Sequence, residues 1–118
     1  HDEVFHGPGR LLDVGCGPGT LTVDLARRVA PGRVVGLDRA PEVLEHAKRH
    51  AQAAGVAVEF RAGDVYALDL PAASFDVVHA HQVLQHLADP VAALRELRRV
   101  ARPGGTVAVR DSDYASFA

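Results

Sequence analysis

Short apolar runs and stretches of helical periodicity take turns along this chain, and that alternation restricts its fold more than any other feature. Leu11 to Val14 is a brief apolar run broken by Gly15, Gly17 and Gly19, which suits a buried strand. Leu21, Leu25 and Val29 then recur at intervals of four, the spacing of one helix face, before Pro31-Gly32 ends the pattern. Arg33 to Leu37 predicts a second strand, closed by Asp38. Pro41 and Glu42 open a helix whose buried face would carry Val43, Leu44, Ala47, Ala51 and Ala54, with Gly55 as its cap. Val56 to Phe60 predicts a third strand, alternating enough to lie at an edge. Phe75 to Ala80 predicts a fourth. Asp89-Pro90 marks a helix start, with Leu94, Leu97, Arg98 and Ala101 on successive turns and Arg102-Pro103-Gly104-Gly105 as the stop. Thr106 to Arg110 predicts the fifth strand.

Strands that alternate with helices demand a mainly parallel sheet covered on both faces, a three-layer α/β arrangement. Right-handed crossovers reduce the topologies to a doubly wound sheet. With 118 residues there is room for one domain, residues 1–118, of which 1–9 read as a lead-in.

Composition removes several functional classes. The net charge of −2 offers no attraction to nucleic acid or an anionic membrane. No apolar run approaches the roughly 18 residues needed to span a bilayer. A single cysteine, Cys16, excludes an intrachain disulfide and a cysteine-based zinc cage, and points to a reducing cytoplasm. The chain contains no methionine, which predicts that it has been processed, trimmed or taken out of a longer protein.

The loop after the first strand carries most of the chemistry. Ligands of open α/β sheets bind beyond the carboxyl ends of the strands, where the strand order reverses. Glycines there admit positive φ and let backbone approach a ligand, while the next helix aims free N–H groups at the same space. A dinucleotide site has G-x-G-x-x-G/A, and Thr20 stands where the third small residue would be. Asp13, two residues before the first glycine, suits a cationic amino end better than a pyrophosphate. Asp38 follows the second strand roughly 20 residues beyond the loop, where an acid can accept both hydroxyls of a ribose. That acid fits either a nicotinamide dinucleotide or another nucleoside cofactor, so both stay open on these residues.

The segment Asp13-Val14-Gly15-Cys16-Gly17-Pro18-Gly19 resembles the first motif of class I S-adenosylmethionine-dependent methyltransferases, particularly the small-molecule group that includes ubiquinone and menaquinone biosynthesis. The resemblance continues through Val35-Gly36-Leu37-Asp38, Gly63-Asp64-Val65, Phe75-Asp76-Val77-Val78 and Leu97-Arg98-Arg99-Val100-Ala101-Arg102-Pro103-Gly104-Gly105. It implies a Rossmann-like sheet in the order 3-2-1-4-5, S-adenosylmethionine as cofactor, and methyl transfer by in-line displacement to a small-molecule acceptor.

The resemblance also implies roles. Asp13 holds the methionine amino end, directly or through water. Gly15, Cys16, Gly17, Gly19 and Thr20 line the cofactor with backbone, Asp38 binds the ribose, and Arg39 packs beside the adenine. Asp64 accepts from the adenine amine and Val65 contacts the ring. His81 lies near the reactive end, where it touches cofactor, orients substrate or takes its proton, and no other catalytic group is assigned. Pro18 replaces a threonine common in relatives. His79, His81 and His86 come close in sequence, yet no carboxylate completes a metal set. The stretch His79-Ala80-His81-Gln82 replaces the (Asp/Asn)-Pro-Pro-aromatic motif of DNA amino-methyltransferases, so a nucleobase acceptor is not expected. Relatives continue into a reversed hairpin that does not fit here, which would leave the fifth strand as an exposed, association-prone edge and the chain with little turnover alone. A non-catalytic nucleotide-binding module is the remaining reading.

Overall fold

A computed structural model describes residues 9–17, 19–29, 32–81 and 87–110. Among these residues are five strands, β1 (Arg10–Val14), β2 (Arg33–Asp38), β3 (Glu59–Ala62), β4 (Phe75–His81) and β5 (Ala101–Arg110), and three helices, α1 (Thr20–Val29), α2 (Pro41–Ala54) and α3 (Pro90–Val100), with a helix in every connection but that from β3 to β4. They form one sheet in the order β3-β2-β1-β4-β5, with every strand pair parallel. The expected doubly wound order is therefore the observed one. β1 lies at the centre and β2 and β4 flank it, so the reversal of strand order falls beside the glycine loop.

Alternation along the strands sorts side chains into two layers. Leu12, Val14, Val35, Leu37, Val78 and Ala80 pack with Ala93, Leu97 and Val100 of α3 in the larger core. On the other face Leu11 and Val34 meet Ala26 of α1, joined by Leu25, Val29 and Val77. No helix among the described residues is long and apolar enough to cross a membrane.

Four local expectations shift. The buried stripe of α1 is Thr22, Val23 and Ala26, while Leu21 is exposed. Thr22 goes inward because its hydroxyl has a buried partner, described below. The third strand begins at Glu59 rather than Val56, because Val56 donates its N–H to Ala51 and completes the helix cap with Gly55. Ladder pairing with β2 starts only at Val35–Glu59. Helix α3 stops at Val100, and Ala101 is already extended.

The stop sequence itself lies within β5. Phe75 pairs with Ala101 and Val77 with Thr106, so Arg102-Pro103-Gly104-Gly105 bulges opposite the single residue Asp76. Asp76 anchors the bulge by accepting from Arg102 Nε at 2.6 Å and from the Arg10 N–H at 2.8 Å. Asp89 caps α3 as the sequence predicts, its side chain accepting from the Ala92 N–H at 3.1 Å.

Candidate functional site

The carboxyl ends of β1, β2 and β3 open into one cleft of ≈ 780 Å³. That volume is within the ordinary range for small-molecule sites. Among the sequence-predicted residues, Gly15, Asp38, Arg39, Asp64 and Val65 line it, and Val14, Leu37 and Leu87 add an apolar wall.

The loop after β1 is held by its neighbour strand. The N–H groups of Gly15 and Cys16 both donate to the Leu37 carbonyl, at 2.7 and 3.0 Å. Gly15, Gly17 and Gly19 all have positive φ, at 73°, 54° and 88°. Gly19 also meets α2, since a Cβ there would lie 3.0 Å from the Ala47 Cβ and 3.1 Å from its Cα. The small residue that allows close packing is therefore Gly19, and Thr20 begins α1 with an exposed side chain.

Asp38 is turned into the loop. Its Oδ2 accepts from the Gly17 N–H at 3.0 Å and its Oδ1 from the Ala40 N–H at 3.1 Å. A carboxylate has about four acceptor positions. Two backbone donors fix its orientation and leave two for hydroxyls in the cleft. Asp64 stands across the cleft, where its Oδ1 accepts from the Tyr66 N–H at 2.9 Å.

The segment that carries Asp64 is pinned to α3 at two points. Tyr66 accepts through its hydroxyl from the Asp89 N–H at 3.1 Å. Further on, Glu96 accepts from the Leu68 N–H at 2.7 Å, and Arg99 donates to the Leu68 and Leu70 carbonyls at 2.8 and 3.0 Å. Arg99 also bonds Glu96 at 2.7 Å. Nothing in the sequence marked these contacts, because they join segments 23 to 31 positions apart whose registers only folding brings together.

The Arg99 guanidinium holds the Glu96 carboxyl below its ordinary value of 4.5, aided by the Leu68 N–H and opposed by burial. A lowered carboxyl stabilises the fold fully above pH 4.5 and loses that contribution as acid takes the pH through its folded value. Glu96→Gln is expected to flatten the acid limb of a denaturation-midpoint profile between about pH 5 and 3. An unchanged limb would count against the Glu96–Arg99 link.

Six predicted residues do not line the cleft: Gly17, Gly19 and Thr20 of the loop and the start of α1, and Cys16, His81 and Asp13. Cys16 is buried, and burial first, then the charges of Asp13 and Asp38, push its thiol from 9.0 up to about 12. Roughly a thousandfold less thiolate is present than in an ordinary cysteine, so iodoacetamide labelling at pH 8 should be slowed by a similar factor. Fast labelling of the folded chain would refute that environment. His81 is exposed at the end of β4, its ring centroid 6.2 Å from that of His79. His86 and Pro18 lie outside the described residues.

Asp13 is the larger departure. It is 2% exposed, beneath the loop rather than on the cleft wall. Its Oδ2 accepts from the Thr22 hydroxyl at 2.7 Å, and its Oδ1 contacts His79 Nδ1 at 3.0 Å. Asp13 and His79 are direct partners in the β1–β4 register. In the sequence His79 stands out only as one of three neighbouring histidines, because nothing short of the register tells which residue of β4 lies beside Asp13.

The chain is similar to several known proteins. A family model described as a methyltransferase domain matches residues 6–117. An uncharacterized methyltransferase of Schizosaccharomyces pombe is 44% identical over 114 residues, covering 91% of this chain and 41% of that protein. A ubiquinone biosynthesis O-methyltransferase of Cereibacter sphaeroides is 43% identical over 96 residues, covering 81% and 38%. Among solved structures, the [4+2]-cyclase SpnF superposes with a TM-score of 0.82 at 34% identity, over 92% of this chain and 42% of that one. The chain thus spans about two fifths of the length of these relatives.

Proposed function

This chain belongs to the class I S-adenosylmethionine-dependent methyltransferases, and on that footing we propose that it binds S-adenosylmethionine across the mouths of β1, β2 and β3 and serves transfer of its methyl group to a small-molecule acceptor. The observation that carries the reading is Asp38, oriented by the Gly17 and Ala40 N–H groups at the lip of the cleft with acceptor capacity to spare. Two vicinal hydroxyls of a ribose match that capacity.

The rest of the cleft fits an adenosyl ligand. Asp64 Oδ1 already serves Tyr66, which leaves Oδ2 to accept from an exocyclic amine. Val65 and Leu37 give a flat ring apolar contact, and Arg39 can lie along its edge. The first turn of α1 presents N–H groups to the remainder, because those of Gly15, Cys16, Gly17 and Gly19 are already bonded within the protein.

When bound, the sulfonium supplies an activated methyl group whose release needs no acid. The protein is left with alignment and exclusion of water, and orientation can contribute ~7–11 kcal/mol in favourable cases. A base is needed only for an acceptor that arrives protonated. His81, exposed at the end of β4 next to the strand-order reversal, is the side chain we assign to orienting that acceptor or taking its proton.

Calorimetric titration with S-adenosylhomocysteine and with NADH tests the cofactor. We expect the first to bind and the second not, because Thr20 stands where a dinucleotide site has a glycine or alanine. The reverse order would overturn the reading. Fold alone does not dictate reaction, and the similarity to a protein named as a cyclase makes that concrete. A mass-spectrometric search for methylated products therefore tests transfer separately from binding.

A further inference from the structure

We propose that Thr22 and His79 are positioning residues of the cofactor site, which hold Asp13 as a fixed carboxylate beneath the glycine loop so that a ligand with a sulfonium is favoured over one with the neutral thioether. The inference rests on the cofactor reading above and deepens it.

The carboxylate is nearly inaccessible, and each of its oxygens has one partner among the described residues. Those partners arrive from opposite sides, Thr22 from the first turn of α1 and His79 from β4. Together they tie the strand before the loop to the helix after it and to the strand at the order reversal. Neither bond cancels the charge when the imidazole is neutral and donates from Nδ1. Among the described residues no lysine or arginine forms an ion pair with Asp13.

A buried carboxylate in so dry a setting acts at a distance, since little solvent screens it. Above it lies the loop, where burial first and then the charges of Asp13 and Asp38 push the Cys16 thiol up. The site is thereby made more negative under the loop without Asp13 itself touching the ligand. This explains why an acid that looks like a contact residue in the sequence is covered in the structure.

S-adenosylmethionine and S-adenosylhomocysteine are the natural probes, because they share every group but the methyl and its positive charge. Both would be titrated into the 118-residue chain and its variants, with the denaturation midpoint measured alongside. Asp13→Asn and His79→Leu are expected to lower the preference for the cationic ligand about fivefold to tenfold relative to the unaltered chain. Thr22→Val should do so to a smaller degree. His79→Asn, whose amide nitrogen can replace Nδ1 as donor, and Thr22→Ser should restore the preference.

A merely structural role would weaken both ligands together and leave their ratio unchanged, and that result would overturn the proposal. Should His79→Leu fail to fold, Asp13→Asn against His79→Asn still decides, because only the first removes the charge. An equal ratio in those two variants would also overturn it. If the unaltered chain binds neither ligand, the cofactor reading falls and this inference with it.

Discussion

Asp38→Ala is expected to weaken S-adenosylhomocysteine binding about tenfold to 150-fold, equivalent to ~1.5–3 kcal/mol, the usual worth of hydrogen bonds to a charged group. Two effects combine. The ribose loses its acceptor, and the Gly17 and Ala40 N–H groups lose the carboxylate that orders the loop and the entry to α2. Asp38→Asn separates them, because it keeps one acceptor oxygen for a backbone donor and loses the charge. It should fall between the parent and the alanine variant in a calorimetric titration. Unaltered affinity in Asp38→Ala would remove the ribose assignment, and with it the observation on which the proposed function stands.

Gly19→Ala should destabilise the fold by ~2–5 kcal/mol. The left-handed backbone at φ 88° costs an alanine about 1–2 kcal/mol. To that is added a methyl placed 3.0 Å from the Ala47 Cβ and 3.1 Å from its Cα, overpacking that typically costs ~1–3 kcal/mol. Backbone lies on one side of that contact, so relief requires α1 and α2 to separate. Gly17→Ala is the matched control. It also has positive φ, but an added Cβ there meets nothing within 4 Å, so only the backbone cost of about 1 kcal/mol applies. Equal losses for the two variants in chemical denaturation would show that the contact with Ala47 carries no weight.

The separation between these two glycines shows where sequence reading stops. Both were legible as loop glycines after a buried strand, because a run of apolar residues broken by three alternate glycines has few other uses. Only the packed helices show that one of them is also a spacer. Thr22 follows the same logic. Periodicity favoured Leu21 for the buried face of α1, since burial of a large apolar side chain is the stronger local preference. The hydroxyl of Thr22 won because Asp13 was buried beside it and needed a donor.

Local chemistry alone determined the alternation of strands and helices, the parallel sheet, the cap at Asp89 and the placing of Asp38 and Asp64 at strand ends. These depend on hydrophobic period, turn residues and short-range hydrogen bonds, all of which are written within a few positions of one another. Tertiary structure decided the partner of Asp13, the pinning of the Asp64 segment by Glu96 and Arg99, and the bulge of β5 around Asp76. Each joins residues far apart in the chain, and a buried polar group takes whichever donor the register sets beside it. That register is set by how the whole sheet and its helices close on one another.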